Sequence, residues 1–169
     1  MTIIETQRLR IQVMTEDDAP FYLEMLSDPD FKANIGDRGL HTLDDARASM
    51  REQVFASYEA HGFGMYLVKQ KSDGAAVGMA GLVKRDFLQD IDVGYAFLPR
   101  GRGHGFATEA AVACVEYARD QFGAKRLAAI TDPENTASIR VLEKLGFREA
   151  GRVTFPDDGD VCAHFLIEL

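Results

Sequence analysis

The chain has 169 residues, a length that suits one domain over 1–169, and its apolar runs are too short to span a membrane. Its formal net charge of −8 disfavours nucleic acid as a partner, because phosphates repel an acidic surface, and suits either solubility or the attraction of cationic amines. The two cysteines lie far apart in apolar surroundings, which favours buried free thiols over a disulfide framework or a metal site.

The residue pattern predicts an α/β protein whose elements follow one another without a linker or an internal repeat. No leader pattern precedes the first strand, so we expect the protein in the reducing cytoplasm. The predicted elements are a strand over 8–13, a helix over 17–26, a loop over 31–41, a helix from Thr42 to Gly62, strands over 64–69, 75–83 and 91–98, a helix after a glycine-rich turn, a strand over 127–131, a helix over 135–145, and strands over 147–154 and 161–169. This order, βααβββαβαββ, predicts a mixed sheet flanked by helices.

Local signals support several of these boundaries. Thr42 followed by Asp45 resembles a capping box, and Gly62 and Gly146 are suited to ending helices. Pro99 ends a strand, because proline cannot donate to a sheet ladder. The strand–helix–strand unit over 91–131 predicts one parallel strand pair with a right-handed crossover inside an otherwise antiparallel sheet.

The most informative segment, 99–110, reads Pro-Arg-Gly-Arg-Gly-His-Gly-Phe-Ala-Thr-Glu-Ala. Glycines let the main chain approach a ligand closely, and the free N–H groups at the start of the following helix favour an anion. With Arg100 and Arg102 beside them, these features predict a phosphate-binding loop rather than a plain tight turn.

Two other nucleotide-binding loops fit this segment poorly. A P-loop needs Gly-Lys-Ser/Thr, whereas Gly105 is followed by Phe106 and Ala107. A Rossmann fingerprint needs the G-x-G-x-x-G spacing near the first strand, whereas the glycines here alternate and lie past the middle of the chain.

The same segment resembles the pyrophosphate loop of the GCN5-related N-acetyltransferases (GNAT), Gln/Arg-x-x-Gly-x-Gly/Ala. Arg102, Gly105 and Ala107 match this pattern in the preferred register. A second register, with Arg100, Gly103 and Gly105, matches equally well on letters alone.

Two further stretches resemble the branch of this family that acetylates ribosomal-protein N-termini. Residues 135–147, Asn-Thr-Ala-Ser-Ile-Arg-Val-Leu-Glu-Lys-Leu-Gly-Phe, are similar to its Asn-x-x-Ser helix, and residues 5–10 are similar to its opening strand. The resemblance covers nearly the whole chain. It implies a fold in which the parallel pair, the fourth and fifth predicted strands, splays apart, and an enzyme that transfers acetyl from acetyl-coenzyme A to a primary amine, without a metal ion. The acceptor implied is a protein N-terminus or a small amine.

The resemblance also assigns coenzyme contacts. The loop would donate N–H bonds to the pyrophosphate, and the strand before it would pair with the pantetheine arm. Asn135 contacts the coenzyme in the family, although its position equally suits a helix N-cap, and Ser138 lies one turn further on, near the sulfur. The implied coenzyme-binding residues are Tyr95, Ala96, Phe97, Arg102, Gly103, His104, Gly105, Phe106, Ala107, Thr108, Asn135 and Ser138.

Acetyl transfer to an amine needs a base, an oxyanion donor and a proton for the thiolate. We expect the main-chain N–H near Phe97 as the oxyanion donor and Ser138 as the general acid, directly or through water. Asp92 is the candidate base, with a solvent-exposed strand position and a water wire as the alternatives. Leu142 stands where many relatives carry a proton-donating tyrosine, which excludes a tyrosine acid at that site.

Two other functions stay open. A non-catalytic acyl-coenzyme A-binding module of the same fold is favoured by the missing tyrosine and the undecided base. A kinase-like enzyme is disfavoured by the missing Gly-Lys-Ser/Thr. We expect the His104 side chain to face solvent rather than to act in catalysis, and the protein to be a monomer or a homodimer.

Overall fold

The computed structural model describes all 169 residues and contains one eight-stranded mixed sheet. The strands are β1 (Thr2–Glu5), β2 (Leu9–Gln12), β3 (Met65–Gln70), β4 (Ala76–Val83), β5 (Ile91–Phe97), β6 (Arg126–Thr131), β7 (Arg148–Thr154) and β8 (Val161–Glu168). Their order across the sheet is β1-β2-β3-β4-β5-β6-β8-β7. Only β5 and β6 run parallel, which confirms the predicted mixed sheet.

Helices cover both faces of this sheet. They are α1 (Ala19–Ser27), α2 (Pro29–Asn34), α3 (Leu43–Ser49), α4 (Ala56–His61), α5 (Phe106–Phe122) and α6 (Thr136–Leu145). A π-helical stretch, Met50–Phe55, joins α3 to α4 without a break in the helix. One hydrophobic core lies between the sheet and α5 with α6, and a second lies between the opposite sheet face and α1 to α3. No helix is both long enough and apolar enough to cross a membrane.

Several predicted boundaries are confirmed. The Thr42 side chain accepts a hydrogen bond from the N–H of Asp45, which completes the predicted capping box. Gly62 and Gly146 end their helices in the left-handed conformation. Both cysteines are free thiols, and Cys114 is buried as expected, whereas Cys162 on β8 is only half-buried.

Two short elements in the first third of the chain depart from the prediction. β1 is a four-residue edge strand paired with β2, too short to show a periodic pattern. The segment predicted as a loop over 31–41 begins inside α2, where Asp28 accepts a hydrogen bond from the N–H of Phe31 and Pro29 occupies the first helical position. The same Asp-Pro pair therefore ends α1 and starts α2.

The ladder between β5 and β6 is short. Only Ile91 with Leu127 and Asp92 with Ala128 are paired, although β5 continues to Phe97 and β6 to Thr131. The two strands therefore part after Asp92, as expected for a splayed pair. The gap between their carboxyl ends is called the β5–β6 cleft below.

Candidate active site

The loop between β5 and α5 has a backbone that glycine adopts most easily. Gly103 and Gly105 have φ angles of 76° and 77°, in the left-handed region where other residues are strained. Gly105 is the N-cap residue of α5, and no side chain caps that helix. The N-terminus of a 17-residue helix is therefore open to an anion.

The main-chain N–H groups of this loop have no protein partner. None of the six N–H groups from Gly103 to Thr108, here called the phosphate loop, donates a hydrogen bond to another protein atom. The groups on either side are paired, because Arg102 donates to the Pro99 carbonyl at 3.2 Å and Glu109 donates to the Gly105 carbonyl at 3.1 Å. A row of unpaired donors at a helix N-terminus is suited to binding phosphate oxygens.

A guanidinium from the strand side braces the phosphate loop. Arg8, just before β2, donates to the His104 carbonyl at 2.7 Å and to the Glu109 carboxylate at 2.7 Å. Its guanidinium also lies 4.7 Å from the centre of the Phe106 ring. The exposed His104 ring packs on Phe106 with centroids 5.2 Å apart. These contacts hold the carbonyl side of the loop, so its N–H groups stay directed outward.

The carboxylate of Glu109 completes this brace. It accepts hydrogen bonds from the Thr6 hydroxyl and from the main-chain N–H of Arg8, the latter at 2.9 Å. Burial acts to raise the pKa of Glu109, but the bonds from Thr6 and Arg8 outweigh it and lower the pKa overall. The carboxylate therefore remains ionised and keeps β2 attached to the first turn of α5.

The two arginines predicted to flank the phosphate loop pair with carboxylates of the first two helices. Arg100 pairs with Glu24 of α1 at 2.6 Å. Arg102 pairs with Asp28 at 2.7 Å and with Asp30, and its Nε donates to the Phe97 carbonyl at 2.9 Å. The main-chain N–H of Arg102 is also paired, and its contact with the coenzyme stays a prediction. Its contacts join α2 to the end of β5.

The main chain of β5 offers alternate residues to the β5–β6 cleft. Leu98 donates to the Val77 carbonyl at 2.9 Å, and the β4–β5 register places Ala96 in the same hydrogen-bonded class. The main-chain groups of Tyr95 and Phe97 therefore point toward β6, beyond the last ladder pair. The main-chain groups of Ala96 pair with β4 within the sheet, and the coenzyme contacts of Tyr95, Ala96 and Phe97 stay predictions.

Tyr95 and Ser138 meet across the cleft. The phenolic oxygen of Tyr95 lies 3.0 Å from Ser138 Oγ and 3.2 Å from the Ser138 carbonyl. Burial raises the pKa of Tyr95 to about 12. Asn135 is the N-cap of α6 and accepts a hydrogen bond from the N–H of Ser138 at 3.2 Å, so the capping interpretation is confirmed.

Asp92 lies at the base of the cleft and is only 2 % exposed, which excludes the solvent-exposed alternative. Its Oδ2 accepts a hydrogen bond from Arg85 Nε at 2.8 Å, whereas Oδ1 accepts none. Burial raises the pKa of Asp92 to about 6, against the opposing effects of the Arg85 guanidinium and the main-chain N–H of Ile130. The Arg85 guanidinium also packs over the Phe155 ring at 5.3 Å.

Sequence reasoning missed three contributors to this site. They are the Arg8 brace, the Tyr95 phenol and the Arg85 partner of Asp92. Each depends on contacts between residues far apart in the chain or on loop geometry that no local periodicity reveals. The opening motif over 5–10 is the only sequence signal that marks any of them.

The chain is similar in sequence and in fold to known acetyltransferases. The model of the acetyltransferase (GNAT) domain matches residues 8–148. The uncharacterized protein YkkB of Bacillus subtilis (strain 168) is 32% identical over 151 residues, which cover 86% of this chain and 84% of YkkB. The uncharacterized N-acetyltransferase YnaD of the same strain is 29% identical over 148 residues, covering 88% and 84%. The solved RimL ribosomal L7/L12 alpha-N-protein acetyltransferase in complex with coenzyme A has the same fold, with a TM-score of 0.81 at 15% identity, covering 100% of this chain and 98% of RimL.

Proposed function

The chain belongs to the GNAT family of acetyltransferases and is an N-acetyltransferase; on that premise we propose that it transfers the acetyl group of acetyl-coenzyme A to a primary amine by direct attack on the thioester. The observation that carries the proposal is the row of six unpaired N–H groups in the phosphate loop. A diphosphate supplies both the acceptor oxygens and the negative charge that this helix terminus favours.

The β5–β6 cleft supports the position of the rest of the coenzyme. The pantetheine arm contains amides, and the main-chain groups of Tyr95 and the N–H of Phe97 face the cleft without a strand partner, while the Phe97 carbonyl accepts a hydrogen bond from Arg102 Nε at 2.9 Å. An arm that extends from the phosphate loop along β5 passes Ser138. The solved complex of RimL with coenzyme A shows that a protein of this fold binds the same molecule.

The residues around the cleft fit the two proton transfers that the reaction needs. The amine nitrogen adds to the thioester carbon to give a tetrahedral oxyanion, which collapses as the C–S bond breaks. Asp92 takes the proton of the amine and releases it to water, and Ser138 gives its hydroxyl proton to the sulfur and regains one from water. The free Oδ1 of Asp92 and its pKa of about 6 suit a base near neutral pH. The N–H of Phe97 is the proposed oxyanion donor.

The proposal is tested by binding and turnover in sequence. Isothermal titration should show acetyl-coenzyme A binding to the purified protein, and absence of binding at millimolar ligand would remove the proposal. Release of free thiol is then measured with two acceptor panels, peptides with free N-termini and small polyamines. Thiol release that depends on an amine supports the transferase, while binding without release on every amine tested supports the non-catalytic module. The panel with the larger kcat/KM identifies the acceptor class.

A further inference from the structure

The phenol of Tyr95 is a half-buried group that the proposed reaction does not yet use. Tyr95 packs against the core on the α5–α6 side of the sheet, and its hydroxyl reaches across the β5–β6 cleft to α6. There it lies within hydrogen-bond distance of two atoms of one residue, Oγ and the carbonyl oxygen of Ser138. The aromatic ring makes this placement rigid, because only two side-chain torsions separate the hydroxyl from the main chain.

These two distances allow two hydrogen-bond arrangements. In the first, the Tyr95 hydroxyl donates to the Ser138 carbonyl, and the Ser138 hydroxyl donates to the tyrosine oxygen. In the second, the Tyr95 hydroxyl donates to Ser138 Oγ, and the serine proton is free to point at another acceptor. Only the second arrangement lets Ser138 donate a proton to a leaving sulfur.

The developing charge on the leaving group selects between these arrangements. A negatively charged sulfur near Ser138 attracts the serine proton, and the tyrosine hydroxyl then turns to Oγ to satisfy the oxygen. The tyrosine stays neutral at working pH, since burial raises the pKa of Tyr95 to about 12. It therefore remains a donor over the whole range in which an amine is acetylated.

We propose that Tyr95 is a positioning residue that, by donating to Ser138 Oγ, directs the Ser138 hydroxyl proton to the sulfur that leaves during acetyl transfer. This inference rests on the proposed function. The tyrosine keeps its own proton throughout, so the bond changes are those already written: one C–N bond forms, one C–S bond breaks, and the sulfur receives the serine proton.

The first test is a double-mutant cycle on turnover. Tyr95→Phe should lower kcat about tenfold, and Ser138→Ala about 100-fold, with the KM for acetyl-coenzyme A nearly unchanged. The double variant should be no slower than Ser138→Ala, because the tyrosine acts only through the serine. The matched control is Tyr117→Phe on α5, which removes a phenolic hydroxyl away from the cleft and should keep the wild-type kcat.

Fluorotyrosine at position 95 keeps the packing and protects this test against a folding defect in the phenylalanine variant. Its phenol loses its proton at a lower pH than tyrosine, so kcat should acquire a descending alkaline limb that wild-type protein lacks. Absence of such a limb in the fluorotyrosine variant would contradict the inference.

The second test reads the hydrogen bond without turnover. The ring carbon that carries the Tyr95 hydroxyl is labelled with ¹³C and followed by NMR as coenzyme A or desulfo-coenzyme A is added. Coenzyme A should shift the resonance at a pH where its thiol is ionised, desulfo-coenzyme A should not, and Ser138→Ala should abolish the difference.

The outcomes separate the inference from the proposed function. Additive losses in the double variant, or equal shifts with both coenzyme forms, overturn the role of Tyr95 while leaving acetyl transfer intact. Absence of coenzyme binding by wild-type protein overturns the proposed function first. A loss of kcat in Tyr95→Phe that disappears in the Ser138→Ala background supports the inference.

Discussion

At the scale of single residues, the phosphate loop depends on glycines with two different duties. Gly103 and Gly105 adopt a left-handed backbone, whereas Gly101 is buried and a Cβ there would lie 2.8 Å from the Val77 carbonyl. The first two direct N–H groups outward, and the third lets the end of β5 pack on β4. Alternating glycines are therefore explained by conformation at two positions and by close packing at the third.

Gly105→Glu should abolish coenzyme binding. The substitution puts a carboxylate beside donors that face a diphosphate, so affinity should fall at least about tenfold, equivalent to about 1.4 kcal/mol. Isothermal titration with coenzyme A measures it. The matched control is Gly74→Glu in the β3–β4 turn, where φ is 75° and the space is open; it carries the same backbone strain and charge and should keep wild-type affinity. Equal affinities in both variants would remove the phosphate assignment.

Asp92→Asn should change how stability depends on pH. The folded pKa of about 6 lies above the ordinary value of 3.8, so the wild-type protein loses stability as pH rises through about 6, by about 3 kcal/mol for a shift of two units. Asparagine cannot ionise, so the variant should not show this loss.

Urea unfolding at several values between pH 4 and pH 7 measures the difference. The exposed Asp86→Asn, in the same β4–β5 connection, should follow the wild-type curve. Parallel curves for wild-type protein and Asp92→Asn would show that the carboxylate is not perturbed.

At the scale of elements, most of the architecture follows from local pattern, and most of the site geometry does not. The parallel pair was predictable because a helix separates two apolar strands, and the Thr42 and Gly146 caps were predictable because each acts within a few residues. The Arg8 brace joins residues 101 positions apart in the chain, and the contact between Tyr95 and Ser138 joins residues 43 positions apart. Such contacts exist only once the sheet has brought the elements together.

Glu109→Gln should loosen the attachment of β2 to α5. It removes a charged partner of Arg8 that is 17% exposed, so unfolding at pH 7 should cost about 1 kcal/mol less. The folded pKa of Glu109 is lowered, so its contribution is present above the ordinary pKa of a glutamate and is lost as pH falls through the folded value. In urea titrations, wild-type protein should therefore have a higher free energy of unfolding than the variant at pH 7, and the two values should converge at pH 3. Glu116→Gln, exposed on the same helix, should match wild-type protein at both pH values.

Gly81→Ala should disrupt the contact between β3 and β4. A Cβ at this position would lie 2.1 Å from the Gly64 carbonyl oxygen, and main chain cannot move aside as a side chain can. We expect a loss of about 1–3 kcal/mol in the free energy of unfolding. Gly94→Ala on β5 is the control, since its Cβ would meet side chains alone, the flexible Met65 at 3.3 Å and Val83 at 3.9 Å. Equal unfolding midpoints would contradict this account.

At the scale of the whole molecule, the negative charge is concentrated in part near the cleft. Burial, followed by Asp132 and Asp160, raises the pKa of the Cys162 thiol, with Arg85 acting in the opposite sense. Asp132 directly follows β6, so it adds a negative charge at the carboxyl end of the parallel pair. A net charge of −8 extends that potential outward and draws cations toward the protein.

Salt should therefore affect acceptors according to their charge. Raising ionic strength shortens the range of the field, so kcat/KM for a polyamine should fall more steeply than for a peptide whose only cation is its N-terminus. Initial rates at several salt concentrations, with acetyl-coenzyme A saturating, measure the two slopes. Equal slopes would mean that the surface charge serves solubility alone.

Because the ladder between β5 and β6 is short, the gap beyond it passes through the sheet from one face to the other. Tyr95 packs on the α5–α6 side of the sheet. Asp92 is four residues from Ala96 on the same strand, so its side chain lies on the same face as Ala96, which packs against the opposite core. On the proposed function, the coenzyme and the amine can approach the β5–β6 cleft from opposite faces of the sheet and meet within it. Both can therefore be bound at the same time. A compound in which an amine is covalently linked to coenzyme A would span the cleft and contact the protein on both faces of the sheet. It should therefore bind more tightly than either part alone.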